Sequence, residues 1–417
     1  MTGLHVWWRR DCVGSLQVDR DDRMEFCYDA RWLASSDAFP ISLSLPLRGE
    51  PYREAAHHFF ANMLPEADVR ARLCQRLKVT PGNDFELLRL IGGECAGALT
   101  ISHDPPADAF TSDSYRPVDP EQLRLWSRAI APDVFSSTVG RDGVRLSLAG
   151  AQDKLPVRLD GAAVNVPLGV APSTHLLKFG SAYFKHLPEN ECLMALTADR
   201  FALPVPATAL WKIDGGGTIL VVERYDRWRE ADRIHRIHQE DFCQALGRSP
   251  LRKYQKEGGP RLGEVAEILR LHGSLPSDDL RLLVRWGLFN WLFGNGDAHA
   301  KNISLIFGPT GGIRLAPFYD LVCTRVYKSL DPQLAMSLGE QFDPGAVLQR
   351  DLDAHARELQ VGPRMVRDNV SEFLETGIRR LGEAITDFRE RHGNSPILDM
   401  IRLQVARNLK RAKTLLR

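Results

Sequence analysis

Between Ser277 and Phe293 the chain carries apolar side chains almost all the way round a helix: Leu280, Leu283, Trp286, Leu288, Trp291 and Leu292 leave little solvent face. Such a helix is stable in water only when other elements surround it, so this stretch predicts a helical lobe built round a buried axis. Asp278 and Asp279 fall in its first turn, where unpaired backbone N–H groups favour acids. Beyond the helix the chain turns polar, with Asn295-Gly296-Asp297-Ala298-His299-Ala300-Lys301-Asn302. A strand from Ile303 to Phe307, a Pro309-Thr310-Gly311-Gly312 turn and a second strand from Ile313 to Leu315 then deliver Pro317-Phe318-Tyr319-Asp320.

Asn302 lies five residues after Asp297, and Asp320 eighteen residues after Asn302. Protein-kinase catalytic loops have this order: D-x-x-x-x-N, a hairpin, then a second Asp. In that chemistry the first Asp accepts the substrate hydroxyl proton, while the Asn oxygen and the second Asp hold magnesium, a hard cation suited to oxygen ligands. By itself D-A-H-A-K-N also fits a solvated turn after a helix, since Asp and Asn are turn formers. The hairpin and Asp320 turn the balance towards function. A metal-dependent hydrolase using Asp297, His299 and Asp320 would need further His or Asp ligands at helix spacing, and the sequence offers none.

The rest of the chain divides by pattern. Strand-like runs at Leu4 to Trp8, Ser15 to Val18, Met24 to Tyr28 and Ile41 to Leu45 precede helical patterns from Arg53, over Asp68 to Leu77 and over Asp84 to Ile91. We read 1–103 as a mixed N-terminal accessory subdomain and the Pro-, Asp- and Ser-rich stretch within 104–135 as a linker with a connecting helix from Glu121 to Ile130. Residues 136–225 read as a small β-rich lobe, with strands at Val144 to Leu148, Lys154 to Leu159, Thr174 to Phe179, Ala207 to Ile213 and Thr218 to Arg224. A helix from Pro188 to Phe201 interrupts them. Residues 226–417 read as the helical lobe, mostly helical from Tyr225 onward.

Composition excludes several classes. Lys plus Arg number 54 against 53 for Asp plus Glu, a net charge of +1 that argues against a nucleic-acid-coating surface. No apolar run reaches the eighteen or so residues of a membrane span. Arg9, Arg10 and Asp11 come too soon after the opening residues for a secretory signal, and the seven cysteines are scattered without C-x-x-C spacing. The expectation is a cytoplasmic protein with reduced thiols.

Three further segments bear chemistry. In Ser147-Leu148-Ala149-Gly150-Ala151-Gln152-Asp153-Lys154, small residues let backbone N–H groups approach a phosphate and Lys154 adds charge; an ordinary hairpin turn fits the same residues. Lys178 ends the apolar run Thr174-His175-Leu176-Leu177, where kinases place a phosphate-pairing lysine with a helix Glu, here Glu191; the alternative is an edge-strand charge. Val221-Val222-Glu223-Arg224-Tyr225-Asp226-Arg227 marks a β-to-α change, whose exposed backbone is able to read an adenine edge.

Together these residues resemble the HipA family of bacterial serine/threonine kinase toxins. The pieces are S-L-A-G-A-Q-D-K (147–154), H-L-L-K (175–178), E-R-Y-D-R (223–227), H-Q-E-D-F-C-Q-A-L-G (238–247), G-D-A-H-A-K-N (296–302) and P-F-Y-D (317–320). The N-terminal part adds F-C-Y-D (26–29), I-S-L-S-L-P-L-R (41–48), F-F-A-N-M-L-P-E (59–66) and I-G-G-E-C-A-G-A-L (91–99). Tyr225 stands where many relatives have Phe. The resemblance implies an α+β, protein-kinase-like two-lobed fold and ATP- and magnesium-dependent phosphorylation of a serine on an aminoacyl-tRNA synthetase or another translation protein. It implies Asp297 as catalytic base, Asn302 and Asp320 as magnesium ligands, and Ser147 as an autophosphorylation site whose modification ejects the loop. For the nucleotide it implies Ala149, Gly150, Ala151, Gln152, Asp153, Lys154 and Lys178 on the phosphates and Glu223, Arg224 and Tyr225 at the adenine. Gln239, His299, Lys301 and Tyr319 would stand nearby. The implied partners are a helix-turn-helix antitoxin and, mainly through it, operator DNA. Arg364, Arg367, Arg379, Arg380 and the acid-free tail from Arg402 to Arg417 are the cationic positions open to phosphate contact; a helix face complementing its own dipole explains them equally.

Overall fold

The computed structural model describes residues 3–21, 23–107, 111–128, 133–139, 143–150, 152–231, 233–308 and 312–416. The chain forms two compact units, Met1–Ser181 with Trp211–Leu251, and Ala182–Leu210 with Arg252–Arg417.

In the first unit, β1 (Leu4–Trp8), β2 (Asp11–Val18), β3 (Met24–Tyr28) and β4 (Leu99–Ser102) make an antiparallel sheet in the order β3-β2-β1-β4. Its inward residues, among them Val6, Val13, Leu16, Phe26 and Ile101, share one core with Phe59, Phe60 and Leu88 of the helices Glu54–Ala61 and Asp84–Ile91. Most of a six-stranded sheet also lies in this unit: β5 (Tyr115–Pro117), β6 (Lys154–Asp160), β7 (Ala163–Pro167), β8 (His175–Lys178), β9 (Thr208–Lys212) and β10 (Thr218–Glu223), in the order β5-β7-β6-β8-β10-β9. Asp160 pairs with Ala163, and Gly161 supplies the positive φ of +61° that this two-residue hairpin turn requires.

Four elements differ from the sequence reading. Ile41 to Leu45 is a turn, not a strand: Leu45 N–H donates to Ser42 O, the Ser44 hydroxyl donates to Gln244 O and the Ser42 hydroxyl to Glu240. Val144 to Leu148 is not a strand either, because it makes one isolated bridge, between Leu146 and Glu94. Tyr115–Pro117, inside the expected linker, pairs with β7 at the sheet edge, where a proline costs no ladder bond. Past Tyr225 the chain first forms β11 (Arg227–Glu230), β12 (Arg233–Arg236) and β13 (His238–Asp241). Helix begins only at Phe242–Ala245, where Asp241 and Gln244 make a reciprocal capping box. The connecting helix spans Pro120–Arg128; its expected end, Ile130, lies outside the described residues.

The second unit is built round Pro276–Phe293, the helix read as all-round apolar, and twelve of its 18 residues are buried. Phe289 and Phe293 stack at 4.5 Å, and Phe201 lies 5.3 Å from Phe293 and 4.3 Å from Phe373 of the helix Pro363–His392. The helices Leu187–Arg200 and Pro396–Leu415 complete the shell. β14 (Ser304–Phe307) and β15 (Ile313–Leu315) form the expected hairpin; residues 309–311 of its turn lie outside the described residues. All seven cysteines are free, and among the described residues no helix is long and apolar enough to cross a membrane.

Candidate active site

In the first unit the glycine-bearing loop rests on backbone contacts from far away in sequence. Ser147 is 0% exposed. Its Oγ donates to Met63 O at 2.8 Å and its N–H to Glu94 O at 2.8 Å, while Glu66 N–H donates to Gly150 O at 3.1 Å. Ala149 is half-buried beside them, and Ala151 lies outside the described residues. Gly150 has φ +115°, a conformation open to glycine, and an added Cβ would stand 3.0 Å from Lys154 Nζ. Absence of that carbon gives the ammonium its room.

The register of β6 and β8 sets Lys154 directly opposite Lys178. Directly opposed residues of antiparallel strands project on one face, and like charges there are unfavourable without an anion or other partner. The pairing puts two ammonium-bearing side chains on one face of the sheet, with Lys178 only 3% exposed. Gln152 Nε2 donates to Phe179 O at the end of β8. Glu191, expected as the partner of Lys178, lies on Leu187–Arg200 of the second unit.

Two expected ligand side chains are engaged in structure instead. The Asp153 carboxylate caps the short helix Val134–Thr138, accepting from Val134 N–H at 2.7 Å and Phe135 N–H at 2.9 Å; burial still pushes its pKa up to about 6. Arg224 is buried, and its guanidinium bonds Glu94, Asp226, Ser173 Oγ and Cys95 O. Arg227 and Arg236 converge on the same Glu94 at 3.0 and 2.8 Å. Burial opposes ionisation of Glu94, but Arg227, Arg236 and Arg224 together hold its carboxyl below the usual range. Arg224 thus keeps only its main chain for a nucleotide, with its N–H already donating to Thr174 O. Next to it Glu223 is exposed at the end of β10, and Tyr225 Oη donates to Gln239 Oε1.

In the second unit the D-x-x-x-x-N loop is fixed by its own neighbours. Gly294, at φ +81°, ends the central helix. Asn295 Nδ2 donates to Asn290 Oδ1 at 3.0 Å, Asp297 N–H donates to Asn295 Oδ1 at 3.1 Å, and Gly296 N–H donates to Thr324 Oγ1 at 2.8 Å. Asn302 Nδ2 donates to Asp297 O at 2.8 Å, which turns the amide so that Oδ1 is the oxygen left for a cation. His299, Lys301 and Asn302 are buried, whereas Asp297 is exposed. Tyr319 Oη donates to Lys301 O at 2.8 Å and lies 2.6 Å from Ser304 Oγ, tying the Asp320 segment to this loop. Phe318 stacks on Trp286, and Asn190 clamps Cys323 through both its N–H and its C=O. Asp320 itself has φ +53°, the left-handed region that Asp tolerates better than most residues. Asn302 Oδ1 and the Asp320 carboxylate are hard oxygen donors of the kind magnesium takes, so the donor set fits that ion.

Two family models match the chain: the HipA N-terminal domain over residues 4–102 and the HipA-like C-terminal domain over residues 146–381. The chain belongs to the HipA family. Over 392 residues it is 31% identical to the serine/threonine-protein kinase toxin HipA of Shewanella oneidensis, covering 90% of this chain and 86% of that one. Over 388 residues it is 36% identical to the Sinorhizobium fredii protein Y4mE, covering 92% of each. A solved structure of Shewanella oneidensis HipA with HipB and its operator DNA superposes with a TM-score of 0.83 at 27% identity, covering 99% of this chain and 98% of that one. The fold is accordingly α+β and protein-kinase-like.

The HipA resemblance did not bring out Tyr254. Its Oη donates to Asp297 Oδ1 at 2.6 Å, and its ring lies edge-on to His299. Tyr254 sits between two short 3₁₀ turns, Pro250–Arg252 and Gln255–Glu257, where no periodicity marks it.

Proposed function

We propose that this chain is the toxin of a toxin–antitoxin pair and acts as an ATP- and magnesium-dependent serine/threonine protein kinase. The observation that carries the reading is the Asp297–Asn302 loop: an exposed carboxylate on a backbone held at N–H and C=O, with an amide oxygen turned free five residues on. In the proposed reaction Asp297 takes the proton of the acceptor serine as its Oγ bonds to the γ-phosphorus and the bond to the β-phosphate oxygen breaks, releasing ADP. Lys154 and Lys178 neutralise phosphate charge, with the main chain of Ala149 to Gln152 lining the loop. Glu223, the Arg224 backbone, Tyr225 and Gln239 serve the adenine side, and His299, Lys301 and Tyr319 hold the catalytic segment in shape. Asn302 and Asp320 would hold magnesium, which when bound supplies the positive charge that offsets charge on the transferring phosphoryl group. Residues 1–103 serve as the accessory subdomain, 104–135 as connection, 136–225 as the β-rich lobe and 226–417 as the helical lobe.

Ser147 is the autophosphorylation site in this reading. Its buried hydroxyl is a donor to Met63 O, and a phosphate of nearly two negative charges offers no such donor and cannot stay buried there. The loop leaves once modified, and activity with it. The acceptor in trans is a serine of a translation protein, with an aminoacyl-tRNA synthetase as the first candidate. A helix-turn-helix antitoxin is the partner and operator DNA is reached mainly through it, a reading supported by the composition of the superposed complex. Direct DNA contact finds less support, because Arg364, Arg379 and Arg380 pair with Asp368, Glu383 and Glu372. The cytoplasm of a bacterium is the place for such a pair.

Intact mass and phosphosite mapping after incubation with ATP and magnesium test the reading. One phosphate on Ser147 in the wild type and none in Asp297→Asn is the expected result. No transfer to Ser147 or to any lysate protein sinks it.

A further inference from the structure

Asp297 is held at both its backbone and its side chain. Asn295 and Asn302 fix its backbone at N–H and C=O. That leaves the two side-chain torsions, which decide where the carboxylate points. Tyr254 Oη, donating to Oδ1 at 2.6 Å, is the group that restrains them.

The tyrosine is itself well fixed. On one side, Ala300 N–H donates to Lys253 O at 3.2 Å. On the other, Gln255 N–H donates to Ala335 O at 3.1 Å, and the Gln255 amide clasps Ser337, accepting from its N–H at 2.9 Å and donating to its Oγ at 2.9 Å. The ring stands edge-on to His299 at 5.2 Å and 87°, and His299 is only 5% exposed. A hydroxyl that merely occupied an acceptor's place would have to leave at every turnover. A segment pinned before and after the residue, with its ring against a buried neighbour, is built to stay.

We propose that Tyr254 is a positioning residue for Asp297: its hydroxyl holds Oδ1 and presents Oδ2 to the acceptor hydroxyl. This rests on the kinase reading above. The ordering cost of the carboxylate is met in the folded protein rather than when the acceptor arrives. Loss of the hydroxyl therefore acts on the chemical step and not on nucleotide binding.

The test is Tyr254→Phe, which keeps the ring against His299. We expect kcat for phosphate transfer about tenfold lower, the loss of one hydrogen bond to a charged group. KM for ATP stays within about twofold, and the thermal midpoint is unchanged. Full kcat in the variant overturns the proposal, as does a kcat loss accompanied by a raised KM and a lowered midpoint. A second measurement needs no turnover. With 3-fluorotyrosine at position 254, the fluorine resonance should move on Asp297→Ala, and a resonance that stays put overturns the proposal. If the wild type transfers no phosphate at all, the kinase reading fails on its own, and the fluorine experiment still decides whether Tyr254 holds Asp297.

Discussion

The loop that carries Ser147 and the loop that carries Asp297 are both irregular backbone, yet they are held in opposite ways. The Asp297 loop is fixed largely by residues close in sequence, Asn290, Asn295, Asn302 and Thr324, with Lys253 and Tyr254 the more distant contacts. The Ser147 loop is fixed by main-chain groups of Met63, Glu66 and Glu94, more than 50 residues earlier, and beside it lies the buried cluster in which Glu94 meets three arginines. A locally tied loop can be exchanged at one side chain without disturbing its backbone. A loop tied over long range depends on the packing of everything that brings the distant segment to it.

The sharpest test of that contrast is Asp297→Asn. Removal of a general base should lower the transfer rate about a hundredfold to ten-thousandfold while the melting temperature holds, since both backbone bonds of residue 297 remain. A clear loss of stability would mean that the loop is not locally supported. Glu94→Gln should do the reverse, costing about 3–5 kcal/mol in denaturant unfolding because the buried Arg224 and Arg227 and the half-buried Arg236 lose their shared carboxylate. A cost below about 1 kcal/mol would show that this cluster does not hold the region together.

Glu240 gives the first unit a pH signature. It accepts from Ser42 Oγ at 2.5 Å and Leu43 N–H at 3.0 Å, and burial pushes its pKa up to about 8. The folded protein therefore keeps a proton that the unfolded chain releases above its ordinary carboxyl range. Stability is full below that range and falls as pH rises towards about 8, by at most about 1.4 kcal/mol per pH unit. Glu240→Gln, with an amide in place of the protonated acid, should flatten this slope in denaturation series at several pH values. The smallest effect expected is that of Gly150→Ala. At φ +115° and with Lys154 Nζ in the way, it should cost about 1–2 kcal/mol and raise KM for ATP several-fold without changing the Asp297 loop.

The same contrast explains what could be read from the sequence. The buried helix, the hairpin β14–β15 and the spacing of Asp297, Asn302 and Asp320 are local patterns, and the structure forms them with at most a residue of difference at their ends. Val144 to Leu148 reads as a strand because apolar residues alternate there, but it makes one isolated bridge, from Leu146 to Glu94. Arg224 looked like a ligand because it sits within E-R-Y-D-R, and nothing local says that Glu94 lies 130 residues back to claim it. The short hairpin β11–β12 is not legible in the sequence, because four-residue strands with one apolar residue each, Trp228 and Ile234, carry no apolar period. Tyr254 shows the same limit from the other side, since its partner Asp297 is 43 residues ahead.

Glu94 also bears on how such a chain can be inherited. It belongs to the stretch matched by the N-terminal family model, whereas Arg224, Arg227 and Arg236 belong to the stretch matched by the C-terminal one. A gene fragment beginning near residue 146 would leave the buried Arg224 and Arg227 facing the carboxylate of Asp226 alone and would deprive Arg236 of its glutamate. Recombination that exchanged one stretch for that of a distant relative would have to restore this charge balance in the same event. The two stretches thus share one charge balance, and a single glutamate couples them.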